Sequence, residues 1–139
     1  MKITFFVCLF LFNISLCRPS TKQSYKIRGR FICPSDEAKT RNIRVKLVDK
    51  DIGFDDTLGE VRTNEAGEFE LGGEAEERTR LDLVLKVYHR CNRASLLPGS
   101  RRSDFYPPSG HANNARFLDI GTINLELKFD SSEETSLTF

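Results

Sequence analysis

The sequence predicts an all-β protein, an antiparallel β-sandwich of seven or eight short strands with at most one short helical turn. Apolar residues alternate with polar ones in several short stretches, which is the pattern of strands that bury one face. Residues that favour turns recur between these stretches. No stretch shows the apolar repeat of an amphipathic helix.

The clearest strand runs from Leu81 to Cys91, and we expect it to cross the middle of the sandwich. Four apolar residues at alternate positions share one face of this strand. They are Leu81, Leu83, Leu85 and Val87. Cys91 is the last residue in phase with them and should therefore point into the same core.

The other strands follow the same alternation. They are predicted at Tyr25–Cys33, Asn42–Asp49, Leu58–Arg62, Glu68–Leu71, Arg101–Tyr106, Ala115–Ile120 and Thr122–Phe129. Gly29 falls on an apolar face, where another backbone or a large side chain can come close. Gly121 interrupts the last pattern, which indicates a bulge or a tight bend. The short helical turn fits best at Glu74–Arg78.

The first 17 residues have the layout of a secretory signal peptide. Lys2 precedes the apolar run Ile3–Phe12, and small residues at Ser15 and Cys17 suit cleavage before Arg18. A membrane anchor is the alternative, but the apolar run is too short to cross a bilayer as a helix. We therefore expect a secreted, extracellular protein whose mature chain has no transmembrane segment.

Four regions follow from this division of the chain. They are the signal peptide 1–17, a polar lead-in 18–24, the β-sandwich 25–129 and a flexible polar tail 130–139. Once the signal peptide is removed, the chain keeps 20 basic and 20 acidic residues. This balance gives no indication of a nucleic-acid partner.

The mature chain keeps two cysteines, Cys33 and Cys91. Each is in phase with the apolar residues of its own strand, so both should point into the core. In an exported chain two such cysteines usually form a disulfide, and two separate buried thiols are the alternative. Closing a loop of 58 residues would stabilise the fold by roughly 4 kcal/mol in the chain-entropy model.

Five basic residues would share an exposed face if the first two strands paired with each other. They are Lys26, Arg28, Arg30, Arg44 and Lys46. Such a face would suit an anionic partner such as phospholipid head groups or a sulfated glycan. A solvated sheet face with no binding role is the alternative, because like charges across strands cost stability.

In an acidic stretch after the second strand, some acidic residues have the spacing of the ligands in a calcium-binding loop. The candidate ligands are Asp49, Asp51, Asp55 and Glu60. However, Phe54 stands where the sharp turn of that loop requires glycine, and no amphipathic helix flanks the stretch. We therefore favour an acidic connection between strands, with no metal and no cofactor.

Six segments, taken in order, resemble the transthyretin-like family of small secreted nematode proteins. They are Ile27–Cys33, Asn42–Leu47, Asp55–Leu58, Thr63–Phe69, Leu85–Cys91 and Asp119–Leu125. The resemblance covers about residues 25 to 128 and implies a transthyretin-type sandwich in an extracellular location. It implies little about the ligand, although it makes carriage of a small apolar ligand and bridging to cell or lipid surfaces plausible.

The candidate catalytic residues are few. His89 is in phase with its strand's core residues, which favours a buried structural imidazole over a catalytic base, and His111 lies in a polar loop. The enzyme relative of this fold, hydroxyisourate hydrolase, uses a histidine in its first strand and a C-terminal Tyr-Arg-Gly-Ser. Neither is present here, so that hydrolysis is not expected.

Three functions therefore remain, in decreasing order of support. The first is a non-enzymatic binding protein for an extracellular or cell-surface partner, whether anionic lipid, glycan or protein. The second is a carrier of a small apolar ligand, which would need an assembled channel. The third is a hydrolase, which lacks a recognisable catalytic constellation.

Overall fold

Eight strands form two sheets in the computed structural model, which describes residues 21–50, 55–77, 81–93, 98–127 and 133–135. The strands are β1 Thr21–Ile32, β2 Arg44–Lys50, β3 Asp55–Arg62, β4 Glu68–Glu77, β5 Leu83–His89, β6 Ser100–Phe105, β7 Leu118–Asn124 and β8 Glu133–Thr135. One sheet has the order β4-β1-β7 and the other β3-β2-β5-β6-β8. The predicted all-β sandwich is confirmed.

The helices of the described residues are two short 3-10 turns, Glu37–Thr40 and Ser109–His111. Neither has the length or the apolar character that crossing a membrane would require. The first turn is capped by Asp36, whose side chain accepts a hydrogen bond from the amide of Ala38. It carries the chain from one sheet to the other between β1 and β2.

The core lies between the sheets and is built from alternate residues of the strands, as the sequence predicts. Leu83, Leu85 and Val87 of β5 are at most 3% exposed. They face Phe31 of β1, which stacks on Phe69 of β4 with ring centroids 5.1 Å apart. Aromatic pairs of this kind add to the stabilisation that burial of apolar surface provides.

One strand pair departs from the predicted antiparallel arrangement, because β7 runs parallel to β1. The chain reaches β7 from β6 of the other sheet through a long crossover, residues 106–117. The crossover runs beside the start of β1. There the Tyr25 hydroxyl donates to the carbonyl oxygen of Pro108 (2.8 Å) and the Asn113 amide donates to that of Ser24 (2.7 Å).

The bulge predicted at Gly121 is confirmed. Gly121 has a φ of 74°, and the register of β1 on β7 shifts opposite Gly29. A Cβ atom placed at Gly29 would lie 2.5 Å from Cγ1 of Ile120, so the close approach predicted there is also confirmed. β7 itself is shorter than predicted, since it begins at Leu118 and ends at Asn124.

Two predictions about β1 and its partner strand β4 are wrong. Residues 21–24 of the predicted lead-in belong to β1, where Thr21 to Ser24 pair with Glu77 to Glu74 of β4. The same pairing takes up Glu74–Glu77, so the predicted helical turn at Glu74–Arg78 is replaced by strand, and Arg78 lies outside the described residues. Extended backbone is favoured because each segment satisfies the other's amide and carbonyl groups.

The ends of the chain add one correction. Glu133–Thr135 of the predicted flexible tail forms β8 and pairs with β6, which satisfies backbone groups at that edge of the sheet. The remaining tail residues 130–132 and 136–139, like the predicted signal peptide 1–17, lie outside the described residues.

Glycines allow β3 and β4 to approach each other where the two sheets meet. A Cβ atom at Gly59 would lie 2.6 Å from the carbonyl oxygen of Gly72, and one at Gly73 would lie 2.5 Å from that of Leu58. Backbone atoms at such distances cannot move aside without moving a strand. Both Gly72 and Gly73 lie within β4, which continues past Leu71, where the predicted strand ends.

Gly59→Ala is therefore expected to lower the free energy of unfolding by about 1–3 kcal/mol, as overpacking in a core does. The measurement is urea unfolding followed by far-UV circular dichroism. Gly110→Ala is the matched control, because a Cβ atom there meets nothing within 4 Å. Equal stability of the two variants would contradict the close approach.

Candidate functional site

The five basic residues predicted to share one face are divided between the two sheets. Lys26, Arg28 and Arg30 lie on β1 in the three-stranded sheet, whereas Arg44 and Lys46 lie on β2 in the five-stranded sheet. The prediction of a single face is therefore wrong. The reason is that the segment after β1 crosses between sheets, so β2 pairs with β3 and β5 instead of β1.

The β1 part of the predicted face is neutralised by its neighbours. Arg28 and Arg30 stand opposite Glu70 and Glu68 of β4. Arg28 also forms an ion pair with Asp119 of β7, with Nε and Oδ2 3.3 Å apart. Exposed pairs of this kind add little stability, but they cancel the positive field that an anionic partner would need.

The outer face of the five-stranded sheet collects basic residues from four strands. One row across the strands contains Arg62, Arg44, Tyr88 and Arg102. The next row contains Glu60, Lys46, Lys86 and Asp104. We call six residues of these rows the basic face: Arg44, Lys46, Arg62, Lys86, Tyr88 and Arg102. These carry five positive charges.

Three acidic positions accompany the basic face among the described residues. Glu60 and Asp104 lie in the second row, and Glu133 of β8 pairs in register with Arg102. The described residues of this face thus keep a formal excess of two positive charges. The next positions along β2 and β5 are Val48 and Val84, both at most 2% exposed, so the basic face is bounded by apolar side chains there.

Several of these cations are held in place by protein groups. The guanidinium of Arg44 bonds to the Glu60 carboxylate and lies 5.3 Å from the centroid of the Tyr88 ring. The hydrogen bond between Arg44 and Glu60 lowers the pKa of Glu60 and raises the pKa of Arg44. Arg102 Nε lies 3.0 Å from Oδ1 of Asp104. The arginines are therefore oriented before any partner arrives.

Sequence reasoning identified Arg44 and Lys46 but missed the rest of the basic face. Arg62, Lys86 and Arg102 occupy outward positions of alternating strands, and this signal is visible in the sequence. Their meeting depends on strand order and register, which alternation alone does not give.

Comparison with known proteins identifies the family. The family model described as TTR-52: Transthyretin-like family matches residues 28–108. The chain belongs to the transthyretin-like family. Transthyretin-like protein 46 of Caenorhabditis elegans is 37% identical over 83% of this chain and 66% of its own length. Transthyretin-like protein 5 of the same nematode is 32% identical over 93% of this chain and 94% of its own length.

The chain spans slightly less than two thirds of transthyretin-like protein 46. Among solved structures, a 9R-lipoxygenase from Cyanothece matches 74% of this chain and 16% of its own length, with a TM-score of 0.48 and 21% identity. A similarity of that size supports no inference about fold or function. Membership of the transthyretin-like family thus rests on the family model and the nematode relatives.

This transthyretin-like chain contains the predicted disulfide between Cys33 and Cys91. Cys33 follows the end of β1 and Cys91 follows the end of β5, so the bond joins the two sheets. A carboxylate oxygen of Glu126 lies within 4.8 Å of both sulfur atoms. The sulfurs are bonded to each other, so these three groups do not make a metal site; instead, Glu126 accepts a hydrogen bond from the amide of Ser35 (2.6 Å).

His89 is a buried structural imidazole, as the sequence predicts. It is 3% exposed, and burial followed by the charge of Arg101 lowers its pKa to about 4. Nδ1 accepts a hydrogen bond from the amide of Cys91 (3.1 Å), so Nε2 carries the hydrogen and donates to Ser103 Oγ, also at 3.1 Å. A base that activates serine must accept that proton. The pair is therefore unsuited to nucleophilic catalysis.

The two calcium candidates whose side chains the structure describes, Asp49 and Glu60, do not share a site. Asp49 is buried, and its Oδ1 accepts a hydrogen bond from the amide of Asp82 (2.8 Å). Asp55 begins β3, Glu60 is paired with Arg44, and Asp51 lies outside the described residues. A calcium loop needs its carboxylates to converge on one point, whereas Asp49 and Glu60 are separated along a strand pair.

Proposed function

We propose that this protein is an exported, non-enzymatic binding protein that recognises an anionic extracellular partner through the basic face. The observation that carries the proposal is the meeting of five cations from β2, β3, β5 and β6 on one sheet surface. Positive charge gathered in this way raises the local concentration of an anionic partner and speeds its association.

Export is supported by three features. The disulfide is of the kind that persists outside the cytosol. The first 17 residues have the composition of a signal peptide. The family resemblance also implies secretion. The absence of a catalytic role is supported by His89, whose hydrogen bonds oppose its use as a base.

Carriage of a small apolar ligand is less well supported than anion recognition. A cavity of about 320 Å³ lies beside the disulfide, which is large enough for a small molecule. Its lining includes Arg30, Glu37, Arg41 and Glu65 beside apolar residues such as Phe31. An apolar ligand would leave these charged groups without water or partners, which costs free energy.

The test is a comparison of two double variants of the mature, oxidised protein. Lys46→Glu with Lys86→Glu reverses two neighbouring charges of the basic face, which pair in register. Lys26→Glu with Arg30→Glu makes the same change in net charge on the other sheet. Binding is measured to immobilised heparin and to anionic phospholipid vesicles at about 0.05 M and 0.3 M salt.

We expect the unmodified protein to bind at least one of these surfaces, and more weakly at the higher salt. The variant of the basic face should lose about tenfold or more of the affinity, whereas the matched variant should change it less than about threefold. Absence of binding to both surfaces at low salt would overturn the proposal. So would an equal loss in the two variants.

A further inference from the structure

The cations of the basic face lie in rows that run across the strands. Adjacent strands of a sheet lie about 4.8 Å apart. The row of Arg62, Arg44, Tyr88 and Arg102 therefore spans three such steps, or about 14 Å. Lys46 and Lys86 form a second, parallel row about 7 Å away along the strands.

We propose that the partner of the basic face is a linear sulfated polysaccharide that lies across the strands. This inference rests on the proposed function and names the chemistry of its ligand. A guanidinium presents a planar set of N–H donors that can bond two oxygens of one oxyanion, whereas an ammonium acts as a point charge. The first row has three guanidinium groups and the second has two ammonium groups.

The orientation of the arginines favours a polymer with fixed spacing over a fluid lipid surface. Glu60 and Tyr88 position Arg44, and Asp104 positions Arg102; both arginine side chains are only 22–23% exposed. Attraction to an anionic bilayer depends on total charge near the surface and needs no such placement. Pre-orientation gains affinity only when the anions on the partner also have defined positions.

The neutral residue of the first row, Tyr88, also favours a sulfated polysaccharide as the partner. Tyr88 separates Arg44 from Arg102 and offers a hydroxyl group that can donate or accept a hydrogen bond. Sulfated sugars alternate anionic groups with hydroxyl groups, so a row of mixed groups matches them. The described large apolar side chains that are most exposed, Tyr106 and Leu127, belong to neither row, and no apolar anchor for a membrane accompanies the cations there.

The experiment uses the mature, oxidised protein and heparin fragments of two, four, six and eight sugars. Calorimetry should show affinity that rises with fragment length until the fragment crosses the four strands and then levels off. Chemically desulfated heparin of the same length should bind at least about tenfold more weakly. Vesicles of phosphatidylglycerol and phosphatidylcholine provide the lipid comparison.

Arg44→Lys keeps the charge but removes the planar donor set, and Lys86→Gln is a second, independent variant. We expect Arg44→Lys to weaken binding of the longest fragment about fivefold or more while leaving any vesicle binding unchanged. Thermal unfolding checks that each variant is folded. Arg28→Lys, on the other sheet, is the matched control and should bind heparin as the unmodified protein does.

Three outcomes would overturn the inference, and they separate it from the proposed function. Binding to vesicles without binding to heparin, or heparin binding that ignores sulfation and length, would refute the polysaccharide and leave an anion-binding face. Absence of binding to heparin and vesicles alike would refute both.

Discussion

Replacing Cys33 and Cys91 together with alanine is expected to lower the free energy of unfolding by roughly 4 kcal/mol. The bond closes a loop of 58 residues and joins the end of β1 in one sheet to the end of β5 in the other. Without it the unfolded chain gains the entropy that loop closure had removed. For a domain of this size the melting temperature should fall by about 15 °C.

The measurement is urea unfolding of both proteins, first oxidised and then with a reductant present throughout. The two proteins should differ by most of the expected amount when oxidised and should converge when the bond is reduced. Both sulfur atoms are buried, at no more than 1% exposure, so reduction requires denaturant or long incubation. A difference below about 1 kcal/mol under oxidising conditions would show that the bond does not constrain the unfolded chain as argued.

The position of the disulfide was predictable because side chains in a strand alternate between faces. Cys33 and Cys91 are each in phase with apolar neighbours, so both side chains enter the core, where they can meet. The same argument placed Leu83, Leu85 and Val87 correctly. The face on which a side chain lies can therefore be predicted from the sequence of its own strand.

Which residues of different strands lie side by side could not be predicted in the same way, because it depends on which strands are neighbours. Arg44 and Lys46 were expected beside Arg28 because β1 and β2 are consecutive in sequence. Consecutive strands of a sandwich can belong to different sheets, and the turn Glu37–Thr40 takes the chain from one to the other. The contribution of Lys86 to the basic face could be recognised only once β5 was known to pair with β2.

Local residue composition also gave wrong predictions where pairing with a distant strand outweighed local preference. Glu74–Glu77 has a composition that favours helix, yet it is strand because Thr21–Ser24 pairs with it. Gly72 and Gly73 resemble a strand end, yet they are needed where β3 passes close to β4. In both cases the deciding partner is distant in sequence.

Acidification from pH 6.5 to pH 4 is expected to lower the free energy of unfolding by about 3 kcal/mol through His89 alone. Its pKa falls from 6.5 in the unfolded chain to about 4 in the folded one, chiefly because burial disfavours the charged ring and also because Arg101 repels it. Between these values the unfolded chain binds a proton that the folded chain excludes. The stability that His89 contributes therefore falls as the pH falls through this window, and it is constant above about pH 7.5.

His89→Gln tests this expectation, because glutamine can still donate to Ser103 but does not titrate. The variant should be less stable at pH 7, since glutamine has no acceptor at the position of Nδ1 and the Cys91 amide loses its present partner. Its stability should nevertheless change much less between pH 6.5 and 4.5 than that of the unmodified protein. His111→Gln, which replaces the other histidine of the sequence, is the matched control.

The carboxylates overlap this window only at its acid end, because they act below about pH 4.5. Glu60 and Glu126 have lowered pKa values owing to hydrogen bonds from Arg44 and Ser35, so their stabilisation is present above pH 4.5 and is lost only below it. The free energy of unfolding is plotted against pH for the unmodified protein and for His89→Gln. The difference between the two curves gives the contribution of the His89 imidazole. An NMR titration that gave His89 a midpoint above pH 6 would contradict the argument, because the ring would then accept a proton without leaving its buried position beside Cys91 and Ser103.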